Sequence, residues 1–263
     1  MIKLFKNIRY NLMEQNTKTM IKFFRHIRYN LMETGKTGKY LKYAIGEIIL
    51  VVIGILIALS INNWNENRKL QSEELKLLFD IKSNLETTLV NLKNDVNQTK
   101  NDILLYSKIE SYIKQDLAYS TELDSSFAHL TFWSSPFITS TAYNTLQSKG
   151  LDLIKSEHLK NNIVNLYEVI FARLMEDYNK SEWNLSQTVI TKFFSKHIRR
   201  LHNQDLFLAR PNDFESLKTN DEFKNILSML LRQRKRGLNF FDDSTVALEA
   251  LIKEIETELQ TRQ

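Results

Sequence analysis

The sequence predicts an all-α protein with one N-terminal transmembrane helix followed by an elongated antiparallel helical bundle. Three observations carry this expectation. Residues 43–61 hold a single charge, Glu47, over close to the ~20 apolar residues that cross a ~30 Å hydrocarbon layer. Residues 62–263 contain only Gly150, Gly237, Pro136 and Pro211 as breakers, too few for a body of short strands and turns. Apolar residues recur there in steps of three, four or seven, the spacing of amphipathic helices packed on one another.

The first element is a basic arm, residues 1–42. It carries ten Lys or Arg against Glu14 and Glu33, a net of +8, whereas residues 62–263 hold 26 bases and 28 acids. The pI of 9.1 therefore describes the arm, and the body is close to neutral. The arm is duplicated: MIKLFKNIRYNLME at 1–14 returns as MIKFFRHIRYNLME at 20–33, with eleven of fourteen positions identical. Each copy spaces its apolar residues as a helix does, Ile2, Phe5, Ile8 and Leu12, then Ile21, Phe24, Ile27 and Leu31, with Lys and Arg on other faces. That pattern suits a helix lying on an anionic membrane surface. A period of 19 puts the copies about 100° out of phase on one helix, which predicts two separate segments, with Gly35 and Gly38 as a break before the span. Met20 offers an alternative start of translation. Basicity without a reading motif gives no ground to expect a nucleic-acid partner.

The second element is the span, residues 43–63. Tyr40 and Tyr43 stand at one end and Trp64 at the other, where aromatic rings favour the headgroup level. No polar stripe interrupts it, as a soluble core helix would require. Ala58-Leu59-Ser60 would serve as a signal-peptide cleavage site, but a 42-residue leader is long for one, and an uncleaved anchor is expected. The basic arm places the N-terminus in the cytoplasm. Residues 64–263 then lie outside, in the periplasm if the cell is Gram-negative. Gly46, Gly54 and Ala58 form a small-residue stripe that would let a second transmembrane helix approach closely, with Glu47 beside it. The partners expected are the lipid bilayer and either an unknown envelope protein or a second copy of the chain.

The body reads as long helices. The first runs from about Trp64 to about Asp116, its stripe Leu78, Ile81, Leu85, Leu89, Leu92, Val96, Ile103, Tyr106, Ile109 and Ile113. An aromatic-rich turn region follows, with Phe127, Phe132, Trp133, Phe137 and Tyr143. Residues 139–141 offer caps for a short helix that Gly150 ends. Ser156 caps a second long helix with the stripe Leu159, Ile163, Tyr167, Ile170, Leu174, Tyr178, Leu185, Val189, Phe193 and Leu201. Pro211-Asn212-Asp213 opens a short segment. Asn220 caps a last helix, interrupted or kinked near Gly237.

Together, MIKFFRHIRYNLM, KYLKYAIGEIILVVIGILIALSINNWNE and AYNTLQSKGLDLIKSEHLKNNIVNLYE resemble a family of single-pass membrane proteins of Gram-negative bacteria that is classed as a domain of unknown function. The resemblance covers most of the chain from Met20 and is most specific over residues 43–66. It implies an inner-membrane anchor and a helical periplasmic domain, and it implies no activity. The duplicated start departs from the single start usual in that family.

Chemistry is sparse. There are no cysteines, which removes disulfides, thiolate metal sites and cysteine nucleophiles. His26, His129, His158, His197 and His202 show no metal spacing, and His197 and His202 lie about 140° apart on a helix. No Gly-x-Ser-x-Gly elbow and no glycine-rich phosphate loop is present. Scattered surface or core histidines, no catalytic residue, no metal and no cofactor are the expectation. Arg232–Arg236 reads as a solvated basic face. The candidate pocket or interaction site is residues 127–150, with Trp133, Phe137 and Tyr143. The function expected is an anchored protein-interaction or structural module of the cell envelope. The alternative is a periplasmic ligand sensor signalling through a partner protein.

Overall fold

The computed structural model describes Lys22, Arg25, Tyr29 and residues 37–202 and 207–262. The chain is predominantly helical and divides into two compact units, Met1–Lys69 and Leu70–Gln263.

In the first unit Lys22, Arg25 and Tyr29 are helical and exposed. The rest of the two copies at 1–14 and 20–33, the start at Met20 and the glycine at 35 lie outside the described residues. Helix α1 (Thr37–Lys114) already includes Gly38, so this glycine does not end a segment. One helical glycine costs only about 1 kcal/mol relative to alanine, and the strong helix formers after it outweigh that. Every residue from 48 to 61 is exposed. Among the described residues, α1 supplies one stretch long and apolar enough to cross a membrane, with mean hydropathy 2.8 and none of it buried. An exposed apolar surface of this extent marks contact with lipid or protein.

In the second unit the core is built from three long helical runs. Along α1 a seam of buried positions, Glu74, Leu78, Ile81, Leu85, Thr88, Leu92, Thr99, Asp102, Tyr106 and Ile109, alternates steps of four and three, with half-buried Asp95 filling the one gap and buried Leu77 beside it. This is the period of 3.5 that keeps one seam facing its neighbours. The stripe read from apolar residues alone had Leu89, Val96 and Ile103 in it; these are half-buried and flank the seam. α1 ends where Asp116 takes a positive φ of 51°. After a short turn, α2 (Asp124–His129) and α3 (Thr141–Lys149) follow. Ser140 makes no side-chain cap bond to α3. Its capping acceptor comes instead from α1: Asn84 Oδ1 accepts from the Ala142 N–H at 3.0 Å and from Thr141 Oγ1 at 2.8 Å. Gly150 closes α3 with φ 100°, the left-handed conformation that glycine adopts without strain.

Residues 157–197 form the second helical run, capped at its start by Ser156, whose side chain accepts from the Leu159 N–H. It is not uniformly α. Between α4 (Glu157–Asn165), α5 (Lys180–Leu185) and α6 (Thr191–His197) lie three π-helical stretches, Leu166–Phe171, Leu174–Asn179 and Ser186–Ile190. Their cause is legible in the burial. Leu159, Ile163, Tyr167, Phe171, Leu174, Tyr178, Glu182, Ser186 and Ile190 are buried, spaced by four almost throughout. On an ideal α-helix steps of four drift off the core face; wider π turns hold them on it. The buried face therefore passes through Glu182 and Ser186, rather than Leu185 and Val189 as a pure 3.6 period suggests.

The all-α expectation missed one small feature. After α6 the chain forms β1 (Ile198–Arg200), which pairs antiparallel with β2 (Ala209–Pro211) in the register Ile198 to Pro211. Leu201, assigned above to the helical stripe, continues this ribbon by donating its N–H to Leu208 O at 3.0 Å. α7 (Phe214–Thr219) is capped by Asp213, and α8 (Asp221–Thr261) by Asn220, whose side chain accepts from the Phe223 N–H. α8 runs through Gly237 without interruption. This glycine is there for room: a Cβ on it would stand 2.5 Å from Cε2 of the buried Tyr178 ring. Two apolar clusters result. One joins Leu77–Leu92 positions of α1 to Ile163, Leu174, Phe241 and Ile255. The other joins Tyr106 and Ile109 to Phe127, Phe193, Phe223 and Leu230.

Candidate functional site

A layer of buried charge lies where the seams of the three long runs pass between the two clusters. The α1 seam presents Thr99 and Asp102, the second run Glu182, and α8 Arg234, each almost completely buried. Arg234 Nη1 pairs with Glu182 Oε1, and its Nη2 donates to the Phe132 carbonyl at 2.6 Å. Nε lies 3.8 Å from Asp102 Oδ2, and the guanidinium carbon stands 5.7 Å from the Tyr106 ring centroid. The Tyr106 hydroxyl donates to the His129 carbonyl at 2.8 Å. A buried charge is tolerated only when paired and hydrogen-bonded. Arg234 therefore lies against both buried acids, Asp102 and Glu182, and its bond to the Phe132 carbonyl ties the turn at residues 129–132 to the helices.

The electrostatics follow from burial. Burial opposes the charge on Arg234, but the neighbouring Tyr106 and Glu182 hold it protonated, above its ordinary range. Burial pushes the Glu182 carboxyl up, against the pull of Arg234. Asp95 occupies a seam position one step before Thr99, and desolvation raises its carboxyl from 3.8 to about 6. Because the folded pKa is the higher one, the fold holds this proton more tightly. Its contribution is complete below about pH 4 and is lost as pH rises through about 6. Asp95→Asn is therefore expected to raise the melting temperature above pH 6 and to change little below pH 4. Since the side chain is half-exposed, the gain is discounted to about 1 kcal/mol. Melting curves at pH 4 and pH 7.5 check this.

On the solvent side the layer meets a cleft of about 170 Å³ lined by Gln98, His129, Phe132 and Phe207. Asp102 Oδ1 accepts from Gln98 Nε2 at 2.9 Å and lies 2.9 Å from His129 Nδ1. The His129 ring sits edge-to-face with Phe132 at 5.9 Å and with Phe207 at 5.6 Å. Arg200 lies over the other aromatic neighbours, 4.3 Å from the Phe207 centroid and 4.9 Å from that of Phe194.

The aromatic segment singled out by sequence is dispersed. Trp133 donates its Nε1 to Asn179 Oδ1 at 3.1 Å and packs edge-on to Trp183. Phe137 is 69% exposed. Tyr143 is buried, stacked on Tyr167 at 4.2 Å, and donates its hydroxyl to Glu168 Oε1 at 2.8 Å; burial pushes it up to about 12. What residues 127–150 bring to the layer is His129 and the Phe132 carbonyl. In the first unit Gly46, Gly54 and Ala58 are exposed and Glu47 is half-buried. A Cβ at Gly46 or Gly54 would meet nothing within 4 Å. Among the described residues no group of three His, Cys, Asp or Glu is arranged to hold a metal.

Arg234 also corrects the reading of Arg232–Arg236 as a solvated face. Arg232, Lys235 and Arg236 are exposed, but Arg234 is 1% exposed. The signal was its place four residues after Leu230 and three before Gly237, on the apolar stripe of α8.

Residues 47–225 match a protein family described as of unknown function, DUF6090. The chain belongs to this family. The family region takes in the apolar stretch from residue 47 onward, Asp102, His129 and Glu182, whereas Arg234 and most of α8 lie beyond it. No curated protein and no solved structure matches the chain.

Proposed function

We propose that this DUF6090 protein is a membrane-anchored helical module of the cell envelope, acting by binding another envelope protein or a second copy of itself rather than by catalysis. In this reading residues 43–63 are an uncleaved transmembrane helix in the inner membrane of a Gram-negative bacterium. The basic arm lies in the cytoplasm, and residues 64–263 form an antiparallel helical bundle in the periplasm. The observation that carries it is the fully exposed apolar stretch of α1, which water would not tolerate and a bilayer would. Ten bases on its N-terminal side support the orientation.

The Gly46, Gly54 and Ala58 stripe supports self-association, since small residues let helix backbones approach. Gly54→Ile or Ala58→Ile is expected to reduce self-association in a membrane reporter assay by half or more. An unchanged signal would leave the span as an anchor alone. Mild crosslinking followed by co-purification tests the interaction itself; recovery of the chain only as a monomer would count against it.

A periplasmic ligand sensor, signalling through a partner, is the second reading. The cleft at His129 favours it, because its wall is hydrogen-bonded directly to the buried charge layer.

A further inference from the structure

The ribbon after α6 leaves one strand edge open. Asn212 donates its N–H to the His197 carbonyl and Leu201 to the Leu208 carbonyl, in a register that sets Arg199 opposite Arg210 and Arg200 opposite Ala209. Bonded and non-bonded pairs alternate along an antiparallel ladder, so the bonded positions on β1 are 197, 199 and 201. Arg200 therefore turns both its N–H and its carbonyl away from β2. The two strands are not equally covered. β2 is packed on α2, with Ala209 fully buried, whereas the described elements packed closely on β1 are β2 and the end of α6.

The charge around the open edge has one sign. No Asp or Glu occurs from residue 183 to residue 204, and Lys192, Lys196, Arg199 and Arg200 stand exposed there. Among the described residues none of these four has a carboxylate at ion-pair distance, whereas Arg210 on the covered strand pairs with Asp124. Arg199 reaches only the neutral Asn212 Oδ1 at 3.4 Å, and Arg200 only the Ala128 carbonyl at 3.4 Å and Thr131 Oγ1 at 2.6 Å. A second copy of β1 suits this edge poorly. It would bring Arg199 and Arg200 against the same two side chains, and like charges facing each other destabilise a strand pair.

We propose that the outer edge of β1, flanked by Lys196, Arg199 and Arg200, receives an extended acidic segment of a partner protein as a third strand. The main-chain groups of Arg200 supply the pairing. Arg199 and Arg200 point to opposite faces of the strand, so two adjacent acids on the guest each meet a guanidinium. This rests on the reading of the body as an interaction module and gives its partner a chemistry. Cations on an edge strand also serve simply to keep other strands away, and the test separates the two uses.

The test uses the full chain in nanodiscs of zwitterionic lipid, with the end-blocked peptide Thr-Val-Glu-Glu-Val-Thr as probe. Saturation-transfer NMR titrations should give saturable binding with Kd on the order of 0.1–1 mM. The same peptide with both glutamyl amides N-methylated keeps its charge but loses main-chain donors, and should bind at least ~10-fold more weakly. Lys196→Glu combined with Arg199→Glu should also weaken binding at least ~10-fold, with an unchanged melting temperature. The ten bases of the arm remain in that variant, so the loss assigns binding to the ribbon. Absence of saturation at about 5 mM peptide, equal affinity for the N-methylated peptide, or full affinity in the double variant would each overturn the proposal. A double variant that still co-purifies its crosslinked envelope partner would overturn it too, while leaving the interaction-module reading intact.

Discussion

Arg234→Met is expected to lower the unfolding free energy by about 3–5 kcal/mol, the usual cost of removing one partner from a buried ion pair. Methionine fills much of the same volume, so the loss would not come from a cavity. It would come from leaving Asp102 and Glu182 together with no cation, and from leaving the Phe132 carbonyl without its 2.6 Å donor. For a body of this size the melting temperature should fall by roughly 10 °C. The proof lies in the combination. Adding Asp102→Asn and Glu182→Gln to Arg234→Met removes the stranded charges, and should restore a large part of the loss. A single-variant loss below about 1 kcal/mol, or a triple variant worse than the single one, would mean the layer is not the electrostatic unit described.

The second large effect concerns the span. Val52→Asp together with Leu56→Asp places two carboxylates in the middle of the apolar stretch, each costing about 2.5–3.5 kcal/mol of insertion free energy. Together they exceed what the surrounding apolar residues can offset, and on the proposed anchoring the membrane-bound fraction after carbonate extraction should fall at least tenfold. Val90→Asp, at an exposed position of α1 in the second unit, should leave that fraction unchanged.

Much of the helical framework was legible in the sequence because its signals are local. Ser156 and Asn220 each supply the side-chain cap their positions suggest, and Gly150 ends α3 in the left-handed conformation. What was not legible depends on tertiary packing. The cap of α3 comes from Asn84, 58 residues before the Ala142 N–H it accepts, so no local motif announces it. Gly237 resembles a helix break until the Tyr178 ring is seen lying against it. The π turns change the period of the second run from 3.6 toward 4, which moves the buried face from Leu185 to Glu182. The search for apolar stripes likewise skipped Thr99, Asp102 and Arg234, because a stripe defined by hydrophobicity cannot contain its own charged members. A strict count of threes and fours along α1 would have placed Asp102 on the seam. Its partners on the other two runs would still have needed the fold. The ribbon at 198–200 is too short to stand out from the helical pattern before it.

The proposed arrangement, a basic arm inside and a helical body outside, is tested most directly by the sidedness of single cysteines, since the natural chain has none. Thr34→Cys reports on the arm, and Ser228→Cys, on an exposed position of α8, reports on the body. With a membrane-impermeant maleimide applied to intact spheroplasts, the account predicts labelling of Ser228→Cys and protection of Thr34→Cys until the membrane is permeabilised. Labelling of Thr34→Cys with Ser228→Cys protected, or equal labelling of both in the soluble fraction, would contradict it.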